Sequence, residues 1–291
     1  MVGIAVVIAT AGRKKEPLRL INSLQQQIRS PDQIVIVTGD DALKPDDIPQ
    51  TRSKLIFLKV TPPGLPKQRN LGASHSTADL LLFVDDDFVL DADYLHVIEQ
   101  EFANNPRMVA AGGLTLGIQK PHLMARTIQR FFGLTRLARR SYLQRTGFPA
   151  LAYGMAGKQQ ATVLSGSNLI VRREVWEKIR FDESLTGYAW MEDDDFTCRA
   201  GRLGELWETP AAKGEHRIAV GRRGKRDVRQ EARMRAINHR YLHRKLLGNS
   251  IWLQICRLWG QLGMIYFELL VHHDVKSALG FMEGAFSPKL R

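Results

Sequence analysis

Five apolar residues, Leu80-Leu81-Leu82-Phe83-Val84, run without a break into three carboxylates, Asp85-Asp86-Asp87. An apolar run with no polar alternation suits a parallel strand covered on both faces. Such strands belong to α/β sheets flanked by helices, and open sheets of that class bind ligands beyond the carboxyl ends of their strands. The acidic triplet falls at that end. Adjacent like charges repel, so a cation or hydrogen-bond donors must accompany them. A divalent metal carrying a phosphorylated substrate meets that need with oxygen ligands.

The first 90 residues repeat the strand and helix alternation of βαβ units. Residues 3–9 form a second unbroken apolar run, Pro17 sits where a first helical turn accepts proline, and Leu20, Ile21, Leu24 and Ile28 follow at helical spacing. Strands are expected at 33–38 and 55–60, and a helix at 67–76 after the breaker Pro62-Pro63-Gly64. Another helix is expected at 92–103. Residues 161–171 read as one strand with a bulge at Ser165-Gly166-Ser167-Asn168, and 173–179 as a short helix. A loop containing Gly187 then leads to a second acidic run, Glu192-Asp193-Asp194-Asp195, which opens a helix through Phe196 and Arg199. Residues 117–160 follow no clean helical period. The expected organisation is a unit at 1–245, with 117–162 as an acceptor-side or membrane-facing insertion, and an amphipathic helical extension at 246–291.

The net charge of +12 is unevenly placed. Residues 102–173 hold eleven Lys or Arg and no Asp or Glu. A second basic stretch at 217–245 includes Arg222, Arg223, Lys225, Arg226, Arg240, Arg244 and Lys245. Such fields attract anionic lipid headgroups, phosphates or nucleic acid. Two cysteines, Cys198 and Cys256, fit a reducing compartment rather than a disulfide framework. The amino terminus reads directly as a strand rather than a signal peptide. No stretch reaches roughly 18 uninterrupted apolar residues, as a spanning helix requires. The nearest, 251–271, is broken by Gln254, Arg257, Gln261 and Glu268, and suits a helix against the core or in a membrane interface. A cytoplasmic protein on the inner face of the cytoplasmic membrane is the expectation.

Five segments in order resemble the family-2 glycosyltransferases of the GT-A fold: Ala9-Thr10-Ala11-Gly12-Arg13, Lys67-Gln68-Arg69-Asn70-Leu71-Gly72-Ala73, Phe83-Val84-Asp85-Asp86-Asp87, Gly166-Ser167-Asn168-Leu169-Ile170-Val171-Arg172-Arg173, and Glu192-Asp193-Asp194-Asp195-Phe196 with Arg199. The resemblance spans roughly residues 3–245. It implies a Rossmann-like, mixed and mostly parallel sheet flanked by helices, and an inverting, metal-dependent hexosyltransferase. The donor is a nucleotide-diphosphate sugar built on UDP, GDP or dTDP, and the acceptor a glycan or lipid-linked precursor of cell-envelope polysaccharide. No nucleic-acid partner is expected.

The resemblance also suggests roles. Asp87 and His216 become ligands of Mn²⁺ or Mg²⁺, and Asp193 the base that takes the acceptor's proton. Thr10, Arg13, Asp40, Lys67, Arg69, Asp85 and Asp86 fall to nucleotide or donor binding, and Glu192, Asp195, Ser167 and Asn168 to acceptor-side support. Relatives commonly end strand two with Val-Asp-Asp-Gly-Ser, whereas this chain reads Val37-Thr38-Gly39-Asp40-Asp41, so the carboxylate is displaced along the loop. Bland alternatives stand beside several of these roles. Arg69 could be a surface-helix arginine, and first-turn carboxylates such as Glu192 to Asp195 also suit a helix dipole.

Two other classes compete. The run from Leu81 to Val89 also resembles the strand-DxDx(T/V) motif of HAD-type phosphatases, with Asp85 as nucleophile and Mg²⁺ bound by the later acidic run. That reading leaves Lys67-Gln68-Arg69-Asn70 and residues 165–173 unexplained. A basic membrane- or nucleic-acid-binding protein without catalysis is suggested by charge alone.

Overall fold

The structure is a computed structural model and describes residues 2–117, 121–134, 138–152, 155–185, 189–217 and 227–287. In chain order the elements are β1 (Ile4–Thr10), α1 (Lys15–Gln25), β2 (Gln33–Thr38), β3 (Lys54–Lys59), α2 (Leu65–Ser74), β4 (Leu80–Asp85), β5 (Phe88–Leu90), α3 (Tyr94–Asn104), β6 (Met108–Leu116) and α4 (Leu123–Phe131). There follow β7 (Tyr142–Leu143), β8 (Pro149–Ala150), β9 (Gln159–Ala161), β10 (Asn168–Arg172), α5 (Arg173–Ile179), α6 (Glu192–Ala200), β11 (Glu205–His216), α7 (Val228–Leu247), α8 (Ile251–Leu270) and α9 (Val275–Ala285).

Nine strands make one sheet in the order β3-β2-β1-β4-β10-β6-β11-β5, with β9 added on β11. The first four run parallel, β10 is antiparallel to both its neighbours, and β11 is parallel to β6. The register pairs Thr10 with Thr38 and Ala9 with Asp85, so β1, β2 and β4 end together. Between β1 and β4 the strand order reverses. That switch point opens a crevice at the carboxyl ends, where open α/β sheets bind ligands.

The apolar strands are buried on both faces because a helical layer covers each. Ile4, Val6 and Ile8 of β1 point into one core with Leu20, Ile21 and Leu24 of α1 and Ile98 and Phe102 of α3. Ala5 and Val7 point into the other, with Ala73 of α2, Trp176 of α5 and Phe196 of α6. Each fully buried Leu, Ile, Val or Phe contributes about 1.5–3 kcal/mol of transfer free energy. A Cβ on Gly72 of α2 would lie 2.5 Å from Val7 Cγ1, so only glycine lets α2 press this close to β1.

Beyond the sheet, α7, α8 and α9 pack with Leu134 and Phe148 around Met264 and Phe281. The break expected at 245/246 falls in the last turn of α7, which packs along α9. Some expectations for single segments differ from the structure. Ile28 lies beyond the end of α1 and is 73% exposed. Residues 161–171 are not one strand: β9 ends at Ala161, residues 162–167 form a connection, and β10 starts at Asn168. The segment without helical period contains α4 and the β7–β8 hairpin. Gly187, and Arg222, Arg223, Lys225 and Arg226 of the second basic stretch, lie outside the described residues.

Candidate active site

The acidic triplet divides its labour. Asp85 is the last residue of β4, and Asp86 and Asp87 make the turn into β5. Because β5 pairs antiparallel with β11, with Phe88 opposite His216, the far end of β11 arrives beside that turn. His216 Nε2 lies 2.8 Å from Asp87 Oδ1 and 4.0 Å from Asp85 Oδ2. One ligand atom from each of Asp85, Asp87 and His216 falls within 4.8 Å of the others. Asp86 turns the opposite way, accepting hydrogen bonds from Thr10 Oγ1 at 2.6 Å and Arg13 Nη1 at 2.6 Å. Arg13 also reaches Asp87 Oδ2 at 2.9 Å. Asp86 is buried, and these bonds brace the loop after β1.

The charges respond to this arrangement. Burial raises Asp85 above the usual carboxylate range, although Arg69 and His216 oppose it. Burial lifts Asp86 to about 6, against the pull of Thr10 and Arg13. Burial acts on Asp87 in the same direction, but the imidazole of His216 and the guanidinium of Arg13 win, and it lies below its ordinary value. For His216 burial favours the neutral ring, and Asp87 and Asp85 outweigh it, so its pKa is raised. The cationic partners beside Asp87 favour its ionised carboxylate, which is the form that can ligate a cation.

The second acidic run supplies the opposite wall. Met191 precedes α6 at φ 70°, and Ala189 stands at φ 46°, left-handed conformations that cost a non-glycine side chain of order 1 kcal/mol each. Met191 gives no side-chain cap, and the carboxylates of the first turn offset the exposed helix dipole. Asp193 Oδ2 accepts the Gly166 N–H at 2.6 Å, and Oδ1 accepts the Asp194 N–H at 3.0 Å. Asp193 lies near enough to Asp85 to raise that group further.

Arg69 ties the two walls together. Its guanidinium reaches Glu192 Oε1 at 2.9 Å and Asp85 Oδ1 at 3.1 Å, and donates to the Gly166 carbonyl at 2.8 Å. Only 2% exposed, it is no surface-helix arginine. Glu192 is pushed up to about 8 by burial and by Asp193, which together exceed the pull of Arg69. The connection at Gly166 has no room for a side chain, since a Cβ there would lie 2.8 Å from Asp193 Cβ and 2.9 Å from Arg69 Nη1.

The remaining expected residues are placed as follows. Asp40 accepts the N–H groups of Gly12 and, at 2.9 Å, Ala42, closing the loop after β1 across the end of β2. Gly12 has φ 69°, so the loop needs glycine at that point. Lys67 stands half-buried in the first turn of α2. The Ser167 carbonyl accepts the Asp85 N–H at 3.1 Å, and its hydroxyl lies 3.1 Å from that of Ser165. Asn168 is spent inside the sheet, donating to Gly113 O at 3.3 Å. Asp195 is fully buried and paired with Arg199 at 2.6 Å and with Lys245 of α7 at 2.8 Å. These pairs fasten α6 to α7.

Two residues of the site carried no assignment from sequence. Gln68 donates to Thr10 O at 2.9 Å and Val37 O at 2.8 Å, locking the ends of β1 and β2 beneath the crevice. Asn70 is saturated by Trp176 Nε1, by the backbone N–H and C=O of Phe181, and by Glu183. Both lie in the segment that carries Arg69, and their neighbours come from distant parts of the chain, which no local pattern could reveal.

A family model described as glycosyl transferase family 2 matches residues 5–180. No curated protein sequence matches the chain. Among solved structures the chain is similar to GalNAc-T7 with UDP, GalNAc and Mn²⁺, at 11% identity and a TM-score of 0.58, covering 95% of this chain and 57% of that one. It is also similar to S. aureus TarS, at 15% identity and a TM-score of 0.52, covering 92% of this chain and 44% of the other. With TarS residues 1–349 the identity is 14% and the TM-score 0.57, covering 97% and 78%. The chain thus spans about half the length of the first two structures. At these identities the likeness shows the GT-A type of fold. The family match includes the acidic triplet and the Arg69 segment, which the phosphatase reading left unexplained, and sets that reading aside.

Proposed function

The chain belongs to glycosyl transferase family 2, and on that footing we propose that it transfers a sugar from a nucleotide-diphosphate sugar to an acceptor hydroxyl with inversion at the anomeric carbon. The observation that carries this reading is Arg69, which joins the Asp85, Asp87 and His216 cluster to the helix bearing Asp193. Leaving-group chemistry and proton removal need opposite walls of one crevice, and the two acidic runs supply them.

Two carboxylates and one imidazole within 4.8 Å form a donor set that suits Mn²⁺ or Mg²⁺, with the nitrogen favouring Mn²⁺. When bound there, the ion supplies a Lewis acid for the diphosphate that must depart. Arg13 holds the Asp86-Asp87 turn in place, and Thr10, Gly12 and Asp40 shape the loop against which the nucleoside of UDP, GDP or dTDP rests. Lys67 adds positive charge at the first turn of α2, on the side of the crevice that receives the phosphates. Asp193 keeps a second lone pair on each oxygen beyond its backbone hydrogen bonds, and takes the acceptor's proton there. Attack opposite the leaving group inverts the anomeric centre.

The acceptor is a lipid-linked or cell-surface glycan precursor, reached on the cytoplasmic side of an anionic membrane. The carboxylate-free, basic segment at 102–173 supports this part of the reading. Substituting Asp193→Asn tests the base. Transfer is expected to fall at least 100-fold while nucleotide affinity stays within a few-fold. Equal loss of both would remove Asp193 from that role.

A further inference from the structure

Helix α8 is built inside out. Ile251, Trp252, Ile255, Trp259, Leu262 and Tyr266 are all exposed, Ile251 at 83% and Trp252 at 59%. At 3.6 residues per turn they fall on a single face about 100° wide. The polar residues Arg257, Gln261 and Glu268 are buried on the other side. They are satisfied there: Arg257 donates to Gln254 at 2.9 Å and Gln261 at 2.6 Å, Gln261 donates to the Ala236 carbonyl of α7 at 3.0 Å, and Glu268 meets His272 at 2.8 Å. The helix therefore cannot roll over to hide its apolar face. A surface helix facing only water carries the opposite pattern, and an exposed stripe of this extent marks an interaction surface.

The stripe continues onto α4. Phe131 lies 5.2 Å from the Trp259 ring, and Trp259 Nε1 donates to the Phe131 carbonyl at 3.0 Å. Leu123 is exposed on the same helix, and so are Arg126 and Arg130. The charge of this surface has one sign. Helix α4 contains no carboxylate, and the only one in α8, Glu268, is buried. Apolar and aromatic side chains beside arginines, with no exposed acid, match the headgroup region of an anionic bilayer, where Trp and Tyr rings settle. No described helix is long and apolar enough to cross a membrane, so this one would lie in the plane of the interface.

We propose that the outer face of α8, with α4 beside it, seats this protein in the headgroup layer of an anionic bilayer. Its use rests on the membrane-borne acceptor of the proposed function, and the geometry connects the two. On its inner side α8 rests on Phe148, whose ring lies 5.8 Å from Trp190, and Trp190 precedes Glu192 by two residues. The face is thus a few side-chain layers from the start of the helix that bears Asp193.

Sedimentation of the full chain with phosphatidylcholine vesicles, with and without about one-third phosphatidylglycerol, tests this. The protein is expected to partition onto the anionic vesicles with a blue shift of tryptophan emission. Ile251→Ser, Trp252→Ser and Ile255→Ser together should cut partitioning at least tenfold. Arg126→Glu with Arg130→Glu should remove the preference for anionic lipid. All of these side chains are exposed, so circular dichroism and nucleotide binding should be unchanged in both variants. A failure of this surface is then separable from a failure of the transferase reading. The proposal is overturned if the wild type stays in solution with anionic vesicles, or if the triple variant binds them equally well. It is also overturned if the wild type is a dimer that the triple substitution makes monomeric, because the stripe would then belong to a second copy.

Discussion

Replacing Arg69 by methionine keeps the length and apolar bulk of the side chain but removes the guanidinium's contacts to both acidic walls. Glu192 and Asp85 lose their shared cation, and the Gly166 carbonyl loses a donor. Arg69 is 2% exposed, so water cannot readily take its place. Removing one partner of a buried ion pair costs about 3–5 kcal/mol. Glu192, pushed up to about 8, keeps its proton at pH 7, so the ion pair lost is the one with Asp85 and the cost lies toward the lower end of the range. Set against a total stability of about 5–15 kcal/mol, even 3 kcal/mol is a large fraction. Urea unfolding of wild type, Arg69→Met, Glu192→Gln and the double variant at pH 7 measures the coupling directly. The double-mutant cycle should return an interaction of about 1–3 kcal/mol between these two positions. Arg69→Met should also weaken nucleotide binding, because Asp85 is then held by His216 alone. If Arg69→Met unfolds within about 0.5 kcal/mol of wild type, as a surface substitution does, and binds nucleotide normally, the bridging argument is wrong.

Glu192 and Gly166 give two more expectations. The folded chain keeps the Glu192 proton up to about pH 8, whereas the unfolded chain loses it near the ordinary value of 4.5, so this group's contribution to stability falls as pH rises between those values. At roughly 1.4 kcal/mol per pKa unit the full effect is about 5 kcal/mol. Glu192→Gln, which has no proton to lose, should therefore gain stability relative to wild type between pH 5 and pH 8 in paired urea titrations, and parallel curves would contradict it. Gly166→Ala should lower kcat at least tenfold, since its Cβ displaces Asp193 and Arg69. An unchanged kcat would show that this close approach does not position the base.

The parts of the fold legible in the sequence are those where an apolar run is long and unmixed. β1, β2, β3 and β4, with α1 and α2 between them, follow from such runs and their breakers. β6 escaped because its sequence, Met108 to Leu116, is weakened by Ala110-Ala111-Gly112-Gly113. The glycine at 113 has a spatial cause: a Cβ there would sit 2.6 Å from the Ala212 carbonyl and from the Tyr94 ring. β11 escaped because Pro210 and Gly214 interrupt it and its register against β6 shifts between Thr209 and Lys213. In the site, Asp85, Asp87 and His216 come together although 129 residues separate Asp87 from His216, whereas the resemblance suggests only Asp87 and His216 as ligands and leaves Asp85 to donor binding. Partners across such distances remained hidden. Arg69 and Glu192 are 123 residues apart, and only the fold shows that one buried cation serves both walls. The polar breaks in α8 were visible as well, but the sequence could not show that the polar side turns inward.

In the proposed function Asp85, Asp87 and His216 bind a nucleotide diphosphate through a divalent ion. Calorimetric titration of the full chain with UDP, GDP and dTDP, each with Mn²⁺ and again with EDTA, tests it most directly. One nucleotide is expected to bind with Mn²⁺, EDTA to abolish the heat, and Asp87→Ala to weaken binding at least tenfold with the fold intact. Binding that ignores EDTA and the Asp87→Ala change, or no binding by any of the three, would contradict it.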